Sequence, residues 1–259
     1  MAWTGRVALV TGAGSGIGAS VARRLGAEGV RHVVLVDRDG DAAATVAKEI
    51  PAARAVAADV SDVDQVDLLV EQVVRDYGRL DVVVHAAGVD DPDAKELIAD
   101  AIVTGGPVDV TSRLEVAAWR RVMSVNLDGT FHVLRAALRA MRPAGRGAIV
   151  VIGSSSAFDA PVGYPHYAAS KAGVHALAQA VAKEAIAFGV RVNIVAPGPT
   201  DTGMAARTPD ALRQVNADPR ARPYATPEEI ADIALFLASD QASNLVGAVL
   251  LANGGRFTR

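Results

Sequence analysis

Tyr167 and Lys171 stand four residues apart at the start of a helix-like stretch. Side chains at that spacing share one helical face. An ammonium beside a phenol favours the phenolate and lowers its pKa from about 10, which makes the pair a candidate general acid/base near neutral pH. Tyr-x-x-x-Lys alone is a common pattern, and a surface tyrosine with a solvated lysine fits it equally. Three serines, Ser154-Ser155-Ser156, follow the apolar run Gly147–Ile152. Ligands of parallel sheets sit beyond the carboxyl ends of the strands, so a serine here either hydrogen-bonds a substrate oxygen or caps a turn. Asn126 lies within a long helical stretch, where asparagine is unfavourable. It has either a polar task or a bond back to its own helix. Only four of the 26 basic residues are lysine (Lys48, Lys95, Lys171, Lys183), so a lysine in a special place stands out.

A second constellation lies near the N-terminus. Thr11-Gly12-Ala13-Gly14-Ser15-Gly16-Ile17-Gly18 joins a strand-like run to a helix-like one. Glycines let the backbone approach a pyrophosphate, and the helix start aims free N–H groups and partial positive charge at it. Ile17 breaks the literal GxGxxG fingerprint, and no Gly-Lys-Ser/Thr follows for a P-loop. A plain turn closing a βα unit remains open. Asp37 ends the second strand-like run, 19 residues after Gly18. An acid about 20 residues on binds the adenosine ribose hydroxyls in a dinucleotide-binding unit. Its charge would repel the extra phosphate of NADP, so NAD(H) is the preferred cofactor. Arg38 and Arg6 keep NADP(H) open. Asp59 and Val60, after the third strand, are candidates for the adenine.

These residues need a frame of alternating strands and helices. Strands are expected at Arg6–Thr11, Val33–Asp37, Arg54–Ala57, Leu80–His85, Gly147–Ile152, Val190–Val195 and Gly247–Leu251. Helices are expected at Gly16–Gly29, Asp41–Ile50, Ser61 or Asp62 to about Tyr77, Glu115–Met141, Tyr167–Phe188 and Pro227–Ser239. Short apolar runs alternating with longer amphipathic ones give βαβ units and a parallel sheet. The expected fold is α/β: a three-layer, doubly wound Rossmann domain spanning 1–259, its seven-stranded sheet mostly parallel. One stretch does not fit. Residues 89–113 carry Asp90, Asp91, Asp93, Glu96, Asp100 and Asp109 with a Gly105-Gly106-Pro107 break. They are long for a βα connection, where about 2–6 residues is usual.

Composition excludes several classes. At 259 residues and 51% hydrophobic content the chain is globular, not disordered. Cysteine is absent, which removes disulfides, thiolate catalysis and cysteine metal sites, and no metal site is expected. A net charge of −3 leaves no footprint for nucleic acid or an anionic membrane. The opening Met-Ala-Trp-Thr-Gly-Arg lacks signal-peptide features, and no apolar run approaches a membrane span. A cytoplasmic location is expected.

Together these motifs resemble the short-chain dehydrogenase/reductase family in its single-domain branch. They are Thr11-Gly12-x-x-x-Gly16-x-Gly18, Asp59, Ala86-Ala87-Gly88, Asn126, Ser154, Tyr167-x-x-x-Lys171 and Pro197-Gly198-Pro199-Thr200-Asp201-Thr202. The resemblance runs from Gly5 to Gly255, and its Ser154–Tyr167 spacing selects Ser154 among the serines. It implies that Tyr167 exchanges the proton, Lys171 binds the nicotinamide ribose, Ser154 polarises the carbonyl and Asn126 holds a water in a proton relay. It gives the phosphate loop to Gly12, Ser15, Gly16, Ile17 and Gly18. Asp37 and Arg38 fall beside the ribose, Asp59 and Val60 at the adenine, Ala87 and Gly88 at the strand end. Pro197, Gly198, Thr200 and Thr202 fall on the nicotinamide side. A homotetramer or homodimer, built on the long helices, is also implied.

Three departures stand out. His85-Ala86-Ala87-Gly88 replaces Asn-Asn-Ala-Gly, leaving one sheet contact in doubt, and His85 is read as a partly buried, satisfied histidine. Asn253-Gly254-Gly255 replaces Asp-Gly-Gly. The insertion at 89–113 is expected near the substrate rim as part of a lid; a surface elaboration or a subunit contact is the alternative. Its acidity argues against an anionic group docking on it. Phe158, Val162, Gly163 and Tyr164, with the segment Gly203–Val215 and its Arg207 and Arg213, are candidates for the pocket. The favoured activity is NAD(H)-dependent interconversion of a secondary alcohol and a ketone. NADPH-dependent 3-oxoacyl-thioester reduction is the runner-up, and a dinucleotide-binding regulator without turnover is the third reading.

Overall fold

Valine, isoleucine and leucine runs of four to eight residues favour extended, buried backbone. In the computed structural model, which describes residues 3–215, 221–222 and 224–259, they form one sheet. The strands are β1 (Val7–Thr11), β2 (His32–Asp37), β3 (Ala53–Ala57), β4 (Val82–His85), β5 (Gly147–Ile152), β6 (Val190–Pro197) and β7 (Val249–Ala252). Their order is β3-β2-β1-β4-β5-β6-β7, and every pairing is parallel. The sheet is thus wholly, not mostly, parallel. The order reverses between β1 and β4, and such a switch point opens a crevice at the carboxyl ends of the strands.

The helices are α1 (Gly16–Ala27), α2 (Gly40–Ala47), α3 (Val63–Tyr77), α4 (Pro92–Thr104), α5 (Val116–Met123), α6 (Gly129–Met141), α7 (Ser156–Asp159), α8 (Pro165–Ala185), α9 (Gly203–Ala206), α10 (Asp210–Val215) and α11 (Pro227–Ala238). Local chemistry sets several boundaries. Asp62, one of the two expected caps, accepts from the Asp64 and Gln65 amides at the start of α3. Thr226 and Glu229 form a reciprocal capping box at α11, with Pro227 at the first helical position. The expected single helix over Glu115–Met141 contains a π-helical segment, Ser124–Asp128, centred on Asn126. The insertion holds the helix α4, started by Pro92 and ended by Gly105 at φ +67°.

Alternation along each strand loads two cores. Ala8, Val10, Val82, Val84, Val150 and Ile152 face α1 and α11. Val7, Leu9, Val83, Ile149 and Val151 face α3, α6 and α8. A third, smaller cluster of Ala94, Ile98, Val110 and Leu212 lies apart from both and joins α4 to α10.

Two buried histidines sit at the carboxyl end of the sheet. Burial, with help from the nearby Lys171 charge, pushes His85 down to about 3 and His175 to about 4. Both stay neutral in the folded protein. Below the unfolded value of about 6.5 the unfolded chain binds protons that the folded one cannot. Stability should therefore fall as pH drops from about 6.5 towards 4, with His85 alone costing about 2 kcal/mol at pH 5. Denaturant titrations at pH 7.5, 6 and 5 measure this, and His85→Asn should flatten the profile.

Candidate active site

The crevice at the switch point is a single cavity of about 820 Å³ that runs from the β2 end past the β4, β5 and β6 ends. Its first portion is the glycine loop. Ser15 starts α1 in extended conformation and its side chain caps nothing, so the first-turn amides face the cavity without a protein side-chain cap. Gly12 has φ +65°, and a Cβ there would lie 2.7 Å from the Ala87 nitrogen. The loop can lie against the end of β4 only because that atom is missing. A Cβ on Gly18 would meet the Gly12 carbonyl oxygen at 2.2 Å. Uncapped amides, a side-chain-free approach and an anion-favouring helix start fit a dinucleotide pyrophosphate.

Asp37 closes this end. One carboxylate oxygen accepts from the Gly14 amide at 2.9 Å, the other from the Asp39 amide at 3.0 Å. Each oxygen keeps acceptor capacity towards the cavity. Arg38, Asp59 and Val60 line the same end. Asp59 accepts from Ser61, which fixes its loop. Ala87, Gly88, Pro197, Gly198, Thr200 and Thr202 line the middle.

Tyr167, Ser154 and Lys171 converge on the far side of the middle. The Lys171 ammonium lies 6.0 Å from the Tyr167 ring centre and donates to the Ile152 carbonyl at 3.0 Å. Burial pushes Lys171 down to about 8. Burial also raises Tyr167, opposed by a contact with Ser154, and the Asp90 charge raises it further. Desolvation thus outweighs the depression anticipated from the lysine alone. The Ser154 hydroxyl oxygen accepts from the Ser156 amide at 3.1 Å.

Asn126 is not in the cavity wall but behind it. Its side-chain amide clasps the Val89 backbone, accepting from the amide at 2.8 Å and donating to the carbonyl at 3.0 Å, and also donates to Ser170. A buried amide so satisfied explains asparagine in mid-helix: it pins the chain where β4 leaves the sheet. His85 is fully rather than partly buried. Its Nδ1 lies 2.8 Å from the Thr11 hydroxyl, which ties β4 to β1 and supplies the contact left in doubt, while Nε2 has no partner among the described residues.

Of the anticipated pocket residues, Val162 and Tyr164 reach the cavity, and so does the segment 203–215, with Met204, Arg207 and Leu212 in its lining. Phe158 instead packs on His175, and Arg213 braces the backbone carbonyls of 205, 206 and 208. Sequence reasoning missed three contributors. His175 accepts the Ser154 amide at 3.3 Å; its position eight residues after Tyr167, on the same helical face, was the available signal. Asp90 and Lys95 line the cavity from the insertion. The scarcity of lysine marked Lys95 without showing where it points. Nor are the insertion's first acids a free negative surface: Asp90 pairs with Lys95 and Arg207, Asp91 with Arg121.

The model of the short-chain dehydrogenase family matches residues 6–213. The chain is a short-chain dehydrogenase. A cis-4-hydroxycyclohexanecarboxylate dehydrogenase of Sinomonas cyclohexanicum is 39% identical over 98% of this chain and 97% of its own. A 3-oxoacyl-(acyl-carrier-protein) reductase of Thermotoga maritima is 34% identical over 97% of each. The solved structure of gox2181 superposes with a TM-score of 0.85 at 29% identity, covering 97% of this chain and 95% of that one. Short-chain dehydrogenases are oxidoreductases acting on CH–OH groups with an NAD(P)-type nucleotide, and the glycine cradle suits that class. Among the described residues, no helix is long and apolar enough to cross a membrane and no group of three metal-ligating side chains gathers.

Asn126→Ala would leave the Val89 amide and carbonyl unpaired beneath the cavity. A loss of about 1–3 kcal/mol is expected, read as a lower denaturation midpoint together with weaker dinucleotide binding by fluorescence titration.

Proposed function

We propose that this short-chain dehydrogenase uses NAD(H) to interconvert a secondary alcohol and its ketone, with Tyr167 as acid/base. The observation that carries this is one cavity holding Asp37 at one end and Tyr167, Ser154 and Lys171 beside its middle. When bound, the nicotinamide accepts or gives the hydride. The protein's part is position and proton traffic. The Tyr167 hydroxyl gives its proton to the ketone oxygen in reduction and takes it back in oxidation. The Ser154 hydroxyl, whose oxygen already accepts from Ser156, has its hydrogen available to the same substrate oxygen. Lys171 supplies a buried positive charge that favours negative charge on neighbouring oxygens. Asp37 offers acceptors to ribose hydroxyls and repels a ribose phosphate.

At the substrate end the walls are largely apolar: Ile98, Ile102, Val108, Val162, Met204 and Leu212. They suit a modest cyclic or aliphatic body, in keeping with the relative named for a hydroxycyclohexanecarboxylate. The second reading, NADPH-dependent 3-oxoacyl-thioester reduction, is favoured by Arg38 beside Asp37 and by the reductase relative. As a homotetramer or homodimer the protein would cover Val116, Trp119 and Phe131, which stand exposed on α5 and α6. Sedimentation of a monomer would remove that assignment.

The test is nicotinamide absorbance over a panel of secondary alcohols and ketones with each dinucleotide. Turnover with NAD is expected, falling at least about 100-fold in Tyr167→Phe. Asp37→Arg should move preference towards NADP. Turnover of the parent with NADP alone would promote the acyl-thioester reading. Dinucleotide binding without turnover would favour a regulator. Because burial raises Tyr167, alcohol oxidation, which needs the phenolate, should still be rising with pH above 7.

A further inference from the structure

Asp90 and Lys95 come from the insertion, Met204 and Arg207 from the segment after β6. These two parts meet across the substrate end of the cavity. The Lys95 ammonium lies 2.5 Å from an Asp90 carboxylate oxygen and donates to the Met204 carbonyl at 2.9 Å. Both charged side chains are only 7% exposed. Arg207 donates to the other Asp90 oxygen at 3.2 Å from a half-exposed position. Beneath these contacts Ala94 and Ile98 of α4 pack on Leu212 of α10. Arg213 ties α10 back to the carbonyls of 205 and 206.

An exposed ion pair would carry little weight. A buried lysine differs: it must keep its partners or lose its charge. Lys95 finds one partner on its own insertion and one on the other side of the cavity. The segment 203–215 therefore has an electrostatic reason to stay against α4, which a family member without the insertion would lack.

We propose that Asp90, Lys95 and Arg207 are positioning residues that clip the segment 203–215 to the insertion helix and so fix the substrate end of the site. The clip also bears on the proton chemistry. Tyr167 is faced by Ser154 from the end of β5, Lys171 from its own helix, Tyr164 from the turn before α8 and Asp90 from the insertion. His85 and His175, behind Lys171, are neutral above pH 6.5. At neutral pH the charges in this set are Lys171 and Asp90. The Asp90 charge raises both Tyr167 and Tyr164. Lys95, on the same insertion, compensates part of that charge throughout, and Arg207 adds to it while the segment is clipped. Closing the segment therefore makes Tyr167 more acidic, and freeing it makes Tyr167 less so.

The kinetic arm of the test rests on the acid/base role proposed for Tyr167; the proteolytic arm does not. Lys95→Met, Lys95→Arg, Asp90→Asn and Arg207→Gln would be compared with the parent. The readouts are tryptic cleavage at Arg213 mapped by mass spectrometry, dinucleotide affinity, and KM and kcat against pH for the best alcohol. Lys95→Met should speed cleavage, raise KM roughly tenfold or more, leave dinucleotide affinity unchanged and move the pH limb to higher pH. Lys95→Arg should restore protection and KM. Asp90→Asn should also speed cleavage but move the limb to lower pH. Arg207 is half exposed, so Arg207→Gln keeps the test open if a buried variant does not fold; it should give the Lys95→Met pattern in weaker form.

Cleavage unchanged in Lys95→Met and Arg207→Gln would overturn the clip. Faster cleavage with unaltered KM and pH profile would reduce the cluster to scaffolding. Limbs moving the same way in Lys95→Met and Asp90→Asn would overturn the charge coupling. Should no alcohol turn over, the function proposed above fails while cleavage still decides the clip.

Discussion

The site depends on one close approach, that of the loop after β1 to the end of β4. The Gly12 α-carbon side lies so near the Ala86–Ala87 backbone that a Cβ would collide. The two strands can be neighbours at their ends and still open a crevice because the sheet reverses order there. Thr11 holds the approach from within. Its hydroxyl accepts the Ala87 amide at 3.2 Å and meets His85 at 2.8 Å. The rest of the site is arranged around that junction: the free amides of α1 face the cavity, and Gly88 brings the chain to Asn126 and Lys171. A Cβ on Gly88 would lie 3.4 Å from the one and 3.5 Å from the other.

Around the junction the protein keeps a positive charge where water is scarce. Lys171 is buried, and its neighbours His85 and His175 are held neutral by the same burial and by its charge. The histidines act as shaped hydrogen-bond partners rather than as bases. One ties two strands together; the other holds the Ser154 amide. Under the function proposed above, this division leaves Tyr167 as the group that exchanges a proton with an oxygen in the cavity. The arrangement costs stability: a buried ammonium whose hydrogen bond, among the described residues, goes to the neutral Ile152 carbonyl is a poor structural choice. The acid/base role proposed for Tyr167 gives that cation a reason to stay.

The insertion shows how a parallel α/β frame accepts added chain. Residues 89–113 leave from the carboxyl end of β4, where the cavity opens, and return to α5 without disturbing a strand pairing. They bring most of a small core, completed by Leu212 of α10, and a buried ion pair. Specificity in such a fold is carried by the segments beyond the strand ends, while the strands supply a fixed platform.

The sequence alone determined the repeating pattern, and with it the sheet, its helices and most of the cavity wall. Strand alternation is local, a glycine loop is contiguous, and Tyr167 and Lys171 share a face through helical geometry, so each is legible without knowing what lies opposite. Other features depended on residues distant in the chain. The polar task expected of Asn126 includes a clasp on the Val89 backbone, which the sequence could not show because that partner lies 37 positions away. The acids opening the insertion read as a repelling surface until Lys95, Arg121 and Arg207 were seen to neutralise them. The Tyr167 shift was anticipated downward from Lys171 alone, and burial turns it upward, because spacing reports which charge is near but not how much water has been removed. Burial and long-range pairing are sums over the whole molecule, and only the folded chain performs them.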